Sequence, residues 1–373
     1  MPKNPPRLRL SRRVPVSPGG SLLAGLGLSA TRPGGDWSYA AGTGLRRALH
    51  ELTASGAPAG IGIAVAQPPG GHPVGDDVPW SPYDRPGTGQ WSDAYLTAVN
   101  DRLGPSSSPA DFCRKAQLVN YEQARAAFEA WRAGRPLGGE TLPLWVAHPG
   151  AHRRDHGLAA GGAHYGARKG AEPLHVQAAA TDGWQVLAAN GTAAAVHRAT
   201  VTARLHDLGG RPIGAPVSRQ LDLAPHGTAD AFAVPFDRSL PATHLLRLRL
   251  TDGAGRVLSA NDYLRCRTPT DMRSLNGLPS VPLSLRTRPA GPLAVTATVR
   301  NTGTSPAAMV RLALAAAPAA DRVRPAVADD NCFWLLPGES RQVTVSWAAG
   351  GDEPAARPAL VAEAYNALRV REA

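Results

Sequence analysis

The side chains most able to do chemistry crowd one short segment. His148, His152, Asp155, His156 and His164 lie close together, and His152 and His156 are four apart, a spacing that puts two metal ligands on one helix face. Pro149 and Gly150 break a helix just before them, and no third ligand keeps a fixed interval. The segment reads as a solvated basic loop, and no metal is expected. Cys113, Cys266 and Cys332 are widely separated, odd in number and without a CxxC pair, so neither a zinc site nor a disulfide framework is indicated. Gly42-x-Gly44 and Gly60-x-Gly62 lack the third glycine and the βαβ frame of a phosphate loop and read as flexible turns. Asn190-Gly191-Thr192 is both a glycosylation sequon and a hairpin turn, and the turn is the preferred reading. No Ser-His-Asp arrangement is readable from spacing. No cofactor signature is present.

Elements of a particular kind must carry these residues. The chain has 373 residues, enough for two or three domains. Apolar residues make up 43% and aromatic residues only 5%, so a core must lean on Val, Leu and Ala. The 40 Gly and 35 Pro are about a fifth of the chain, which fits turn-rich β-sandwiches rather than a helical protein. The formal charge is +11, yet the arginines are scattered apart from Arg7–Arg13 and Arg153–Arg154, so a nucleic-acid partner is not expected. No apolar run reaches the ~18 residues of a membrane span. Residues 7–30 outline a signal peptide that Pro15, Pro18 and a Gly pair interrupt, so the compartment, extracellular or cytoplasmic, is left open, as is the oligomeric state.

Residues 1–80 are rich in Gly, Pro, Arg and Ala and are expected to be weakly structured, with a short helix at Gly44–Leu52 and a short strand through Ile61, Ile63 and Val65. Ser108-Pro109-Ala110-Asp111 is a helix start, and the spacing predicts a helix over Ser108–Ala133 with Leu118, Tyr121, Ala124, Phe128 and Trp131 on one stripe. From Pro173 the period becomes two. Val201, Ala203 and Leu205 precede a Gly209-Gly210 turn; Leu246, Leu248 and Leu250 precede Asp252-Gly253; Val295, Ala297 and Val299 precede Asn301-Thr302-Gly303; Val343, Val345 and Trp347 follow Pro337-Gly338. That is strand for two sandwiches, with a joint near Thr268–Pro282.

Five blocks carry a family resemblance. FCRKAQLVNYEQARAAFEAW looks like the helix closing the catalytic barrel of exo-β-D-glucosaminidases and related endo-β-mannosidases of glycoside hydrolase family two. Gly161–Gln177 is similar to the family's passage from barrel to sandwich, Asp271–Pro279 to its joint between the last two sandwiches, and Asp329–Trp347 and Glu363–Asn366 to its final immunoglobulin-like domain. The blocks fall in family order over about residues 90–373. The resemblance implies hydrolysis of β-linked glucosamine or mannose by two carboxylates about 5–5.5 Å apart. Here the segment Ala57–Trp80 holds no Glu; Glu51 sits in an unmatched context, and Asp76 and Asp77, as neighbours on an extended chain, point to opposite faces. No catalytic residue is assigned. Trp145 matches the tryptophan that ends the last barrel strand and would flank the sugar, or it packs in a residual core.

The expectation is therefore a mainly β chain: 1–80 weakly structured, 81–165 a partial (β/α) barrel remnant with one long helix, 166–272 and 273–373 two immunoglobulin-like β-sandwiches. A whole barrel takes about 250 residues, so a truncated or frame-shifted form, inactive as written, is expected. A chitosan-like or mannoside oligosaccharide is the partner implied; the alternative is a non-catalytic carbohydrate-binding or structural module.

Overall fold

The computed structural model describes residues 24–31, 37–40, 61–63, 99–133, 144–146, 161–179, 183–314, 326–347 and 359–372. Strands β1 (Ala24–Thr31), β2 (Trp37–Ala40), β3 (Ile61–Ile63) and β4 (Leu144–Val146) form a small sheet of order β2-β1-β3-β4. Residues 1–80 thus supply three strands where only the one at Ile61 was expected; the helix expected at Gly44–Leu52 lies outside the described residues. Only β3 and β4 pair in parallel; β1 pairs antiparallel with both β2 and β3. A (β/α) barrel is parallel throughout. The described strands do not confirm the barrel remnant expected over 81–165; that range holds β4, the first turn of a second helix, and one long helix.

That helix, α1, spans Pro109–Ala133, one residue inside the expected start. Ser108 Oγ accepts the Asp111 N–H at 3.2 Å, and the Asp111 carboxylate accepts the Ser107 N–H at 3.0 Å. Each thus satisfies an N–H that a helix start leaves free. Leu118, Tyr121 and Ala124 are buried as the stripe requires. Phe128 is only half-buried, and nothing is described of the Trp131 side chain. A second helix, α2 (Gly162–Gly170), lies directly on α1. Its Gly162, Gly166 and Gly170 recur every four residues and so share one face. A Cβ on Gly162 would come within 2.2 Å of the Gln117 carbonyl oxygen, and one on Gly166 within 2.2 Å of the Tyr121 carbonyl oxygen. The glycines exist to let backbone meet backbone.

Seven strands follow: β5 (Leu174–Ala179), β6 (Gln185–Asn190), β7 (Val196–His206), β8 (Pro212–Leu223), β9 (Gly227–Ala233), β10 (Thr243–Thr251) and β11 (Val257–Cys266). They make two antiparallel sheets, β5-β6-β9 and β11-β10-β7-β8. Val176, Val186, Val201, Leu246, Leu248 and Leu250 fill the space between. A 3-10 helix, Pro269–Gly277, leads to β12 (Leu283–Gly291), β13 (Ala294–Asn301), β14 (Ala307–Leu314), β15 (Ala326–Ala328), β16 (Phe333–Leu335), β17 (Ser340–Trp347), β18 (Leu360–Ala364) and β19 (Ala367–Arg371). These form sheets β12-β13-β17-β15 and β16-β14-β18-β19. The chain is mainly β with two immunoglobulin-like sandwiches.

The turns show local chemistry. Asp207 and Asp252 each accept the backbone N–H of the arginine four residues on, and the left-handed positions are Gly210 (φ 85°) and Gly255 (φ 83°), one or two residues beyond those expected. Asn190 does not start a hairpin, because β6 and β7 belong to different sheets. Its buried amide instead donates to the Ala194 and Ala224 carbonyls and accepts from the Thr192 N–H. Asn301, at the end of β13, repeats this wiring with Ser305, Leu335 and Gly303. Each sandwich pins a strand end with the same side chain.

Candidate functional site: a buried polar joint

Helix α1 presents Glu122, Arg125 and Glu129 to β5 and β11, and α2 brings Lys169 to the same place. The centre is Glu129. One of its carboxylate oxygens accepts from Asn261 Nδ2 at 2.8 Å and the Tyr263 hydroxyl at 2.8 Å, and meets His175 Nε2 at 3.1 Å. The other His175 nitrogen faces Glu172 at 3.2 Å, so both contacts are hydrogen bonds only with a proton on each ring nitrogen. Glu172 also accepts from Ser259 at 2.9 Å and pairs with Lys169 at 2.6 Å. Arg125 donates to Asn261 Oδ1 at 2.9 Å, the Asp262 carbonyl at 2.5 Å and Glu122 at 2.6 Å, and its guanidinium stands 4.2 Å from the Tyr263 ring centre. Gln177 donates to the Glu129 carbonyl at 2.8 Å.

Burial sets the electrostatics. Desolvation pushes the Glu129 carboxyl up, but the His175 hydrogen bond and the Arg125 charge outweigh it and hold the group below its ordinary range. Glu172 is pushed up by burial and pulled down further by His175 and Lys169, to about 2. Burial raises Glu122 despite Arg125, and burial likewise drives the Tyr263 phenol well above its ordinary value. A glycosidase acid needs a raised carboxyl beside a sugar cleft. Here the raised carboxyl is bound to a guanidinium and the central one is surrounded by donors. The arrangement holds elements together.

The same helices reach the second sandwich. The Tyr165 hydroxyl accepts the Ala328 N–H at 3.1 Å, Arg168 donates to the Ala328 carbonyl at 3.4 Å, and Lys169 stands 3.8 Å from Asp330. Arg114 donates to the Tyr365 carbonyl at 2.9 Å and covers its ring. Between the sandwiches, Arg247 pairs with Asp262 at 3.0 Å and Glu339 at 2.8 Å.

A cleft of about 530 Å³ is lined by Asp207, Leu208, Thr243, Asp271 and Ser274. Both of its carboxylates are spent on turns: Asp207 on Arg211 and Asp271 on the Thr268 N–H. Trp145 lies on β4 with Gly62 as its register partner, and its side chain is outside the described residues. Glu51, Asp76, Asp77, His148, His152, Asp155 and His156 are outside them too. His164 is described, with its ring edge-on to Tyr165 at 5.1 Å. No group of three metal-ligating side chains, and no helix long and apolar enough to cross a membrane, occurs among the described residues. Cys266 and Cys332 are free thiols, each pushed up to about 12 by burial.

The comparisons with known proteins agree with this framework. The exo-β-D-glucosaminidase immunoglobulin-fold domain matches residues 261–367. An exo-β-D-glucosaminidase of Streptomyces avermitilis is 33% identical over 289 residues, which is 68% of this chain and 32% of the relative. The chain is a relative of the C-terminal portion of family-two exo-β-D-glucosaminidases. It spans about a third of the length of the curated relatives it matches. A solved exo-chitosanase of Amycolatopsis orientalis superposes on 78% of this chain and 39% of its own with a TM-score of 0.62 and 26% identity. A β-D-mannosidase of Dictyoglomus thermophilum, at 10% identity and TM-score 0.53, shares the fold.

Sequence reasoning missed the Glu129 joint. Its signal was present as polar residues where apolar ones belong: Glu122, Arg125 and Glu129 beside the α1 stripe, His175 and Gln177 on β5, and Ser259, Asn261 and Tyr263 at every second position of β11. Tyr165, Arg168 and Lys169 lie in the Gly161–Gln177 passage that the resemblance sets between barrel and first sandwich. The structure carries them to Ala328 and Asp330 of the second.

Proposed function

We propose that this chain is the C-terminal framework of a glycoside hydrolase acting on β-linked glucosamine or mannose, and that the chain itself turns over no substrate. The observation that carries the reading is the Glu129 joint. It wires the closing helix to the Gly161–Gln177 passage, two of the segments that resemble the family, and both of them to β11 of the first sandwich. In this reading a chitosan-like or mannoside oligosaccharide is the partner, and Trp145 flanks a sugar. The division of the chain into 81–165, 166–272 and 273–373 belongs to the same proposal. The test is an assay of the purified chain with chromogenic β-D-glucosaminide and β-D-mannoside. Hydrolysis at the uncatalysed rate is expected; turnover near ~1 s⁻¹, an ordinary enzyme rate, would overturn the reading. Trp145→Ala should weaken binding of a glucosamine oligosaccharide by up to about tenfold, the worth of one aromatic contact. Unchanged affinity would remove Trp145 from the site.

A further inference from the structure

Arg265, near the end of β11, is fully buried, and its three guanidinium nitrogens have no acceptor among the described residues. The group is held between two rings, with its carbon 4.4 Å from the Trp184 centre and 4.6 Å from the Phe236 centre. Stacking satisfies the two faces of the guanidinium. It does nothing for the N–H bonds, which lie in the plane and point outward from its edge.

The neighbourhood adds a second orphan. His244 is the register partner of Arg265 on β10, so the two side chains stand on the same face of the sheet. His244 is fully buried; Nδ1 bonds the Pro241 carbonyl at 2.9 Å and Nε2 has no described partner. Phe236 touches both, edge-on to His244 at 4.6 Å. Arg267, exposed on the same strand, places a further cation 4.8 Å from the Phe236 centre and donates to the Asp237 and Leu240 carbonyls. The carboxylate that acts on Arg265 is Asp237, but it is turned to its own loop, accepting from the Ser239 N–H and hydroxyl.

A buried cation whose nearest counter-charge is turned away is costly to the fold. Burial pulls the Arg265 guanidinium down to about 10, which leaves it charged at neutral pH and makes that charge a burden on the fold. A water molecule would satisfy N–H bonds but not the charge. The geometry points to a small-anion site at this end of the first sandwich, in which the guanidinium edge of Arg265, walled by Trp184 and Phe236, holds a carboxylate-sized or halide anion.

The test is thermal unfolding of the full chain at fixed ionic strength, with gluconate replaced stepwise by formate or chloride. Once the anion exceeds half-saturation, each tenfold increase should raise Tm by about 2 °C. Formate acting at lower concentration than chloride would mark the planar edge as the reader; equal potency would mark charge alone, and both support the site. Arg265→Met should lose the dependence and melt higher than the parent in gluconate, because an apolar side chain of similar length removes the uncompensated charge. Arg265→Lys is the second variant: it keeps a cation but not the planar fork, and should weaken formate potency by about tenfold. A Tm that ignores anion identity at fixed ionic strength would overturn the proposal and leave water as the partner. Anion dependence that survives in Arg265→Met would overturn it as well.

Discussion

Glu129 shows why a buried carboxylate need not be a catalyst. Three donors share one of its oxygens and Arg125 lies 3.9 Å away, so the charge is fully answered within the protein. Removing it leaves Arg125 with Glu122 as its one remaining carboxylate here, and His175, Asn261 and Tyr263 without their shared acceptor. Glu129→Ala should therefore cost about 3–5 kcal/mol in urea unfolding; a loss below about 1 kcal/mol would mean that the joint does not hold the helix. Glu172 gives the pH dependence. Its folded value, about 2, lies below its ordinary 4.5. A depressed carboxyl contributes stability that is complete above the unfolded value and lost as pH falls through the folded one. Urea midpoints should thus fall between about pH 4.5 and 2 for the parent, and less steeply for Glu172→Gln. Glu122 works in the opposite direction, since burial raises it and its protonation favours the fold, so it offsets part of the loss. An acid limb identical in both proteins would contradict the assignment.

At the scale of elements, the deciding feature is the glycine face of α2. Gly166 meets the Tyr121 carbonyl so closely that a methyl group has no room, and the obstacle is backbone, which cannot swing away. Gly166→Ala should cost about 3 kcal/mol, the upper part of the overpacking range. Gly277, at the end of the 3-10 helix, has nothing within 4 Å of a Cβ, so Gly277→Ala serves as a control that should leave Tm within a degree or so. Equal effects would mean that the helices are not in backbone contact. Much at this scale was legible from sequence. The Ser108–Asp111 start signal and the Leu118–Tyr121–Ala124 stripe place α1 to within a residue, because caps and periodicity are local. Strands β7, β13 and β17 follow their period of two, whereas Thr243–Leu248 of β10 are buried on both faces. What was not legible is long-range. Spacing along β11 cannot say that Asn261 and Tyr263 meet a helix more than a hundred residues upstream, and a Gly-x-x-x-Gly run reads as flexibility until the partner helix is known. The sheet pairing of Ile61–Ile63 with Leu144–Val146 is likewise invisible to local pattern.

For the whole molecule, the joint near 268–282 is the informative place. Sequence made it a boundary because Pro, Gly and Arg gather there. The structure fills it with a 3-10 helix whose Thr268 and Asp271 cap one another. Leu275 is buried there, and Asn276 donates to the Leu103 carbonyl at 2.7 Å. Arg273 donates to the Asn100 and Asp101 carbonyls. A single hydrophobic cluster runs from Val99 and Leu103 through Leu275 into the second sandwich. The helices and both sandwiches are thus one framework. Trypsin tests this most directly, because Arg273 is exposed and its following peptide bond lies inside the locked segment. Cleavage needs that segment to open, and opening must break contacts to two other elements. Mass spectrometry of a native digest should find the bond after Arg273 intact while other arginine sites are cut. Early cleavage there, leaving two stable halves, would contradict the account of a single braced framework.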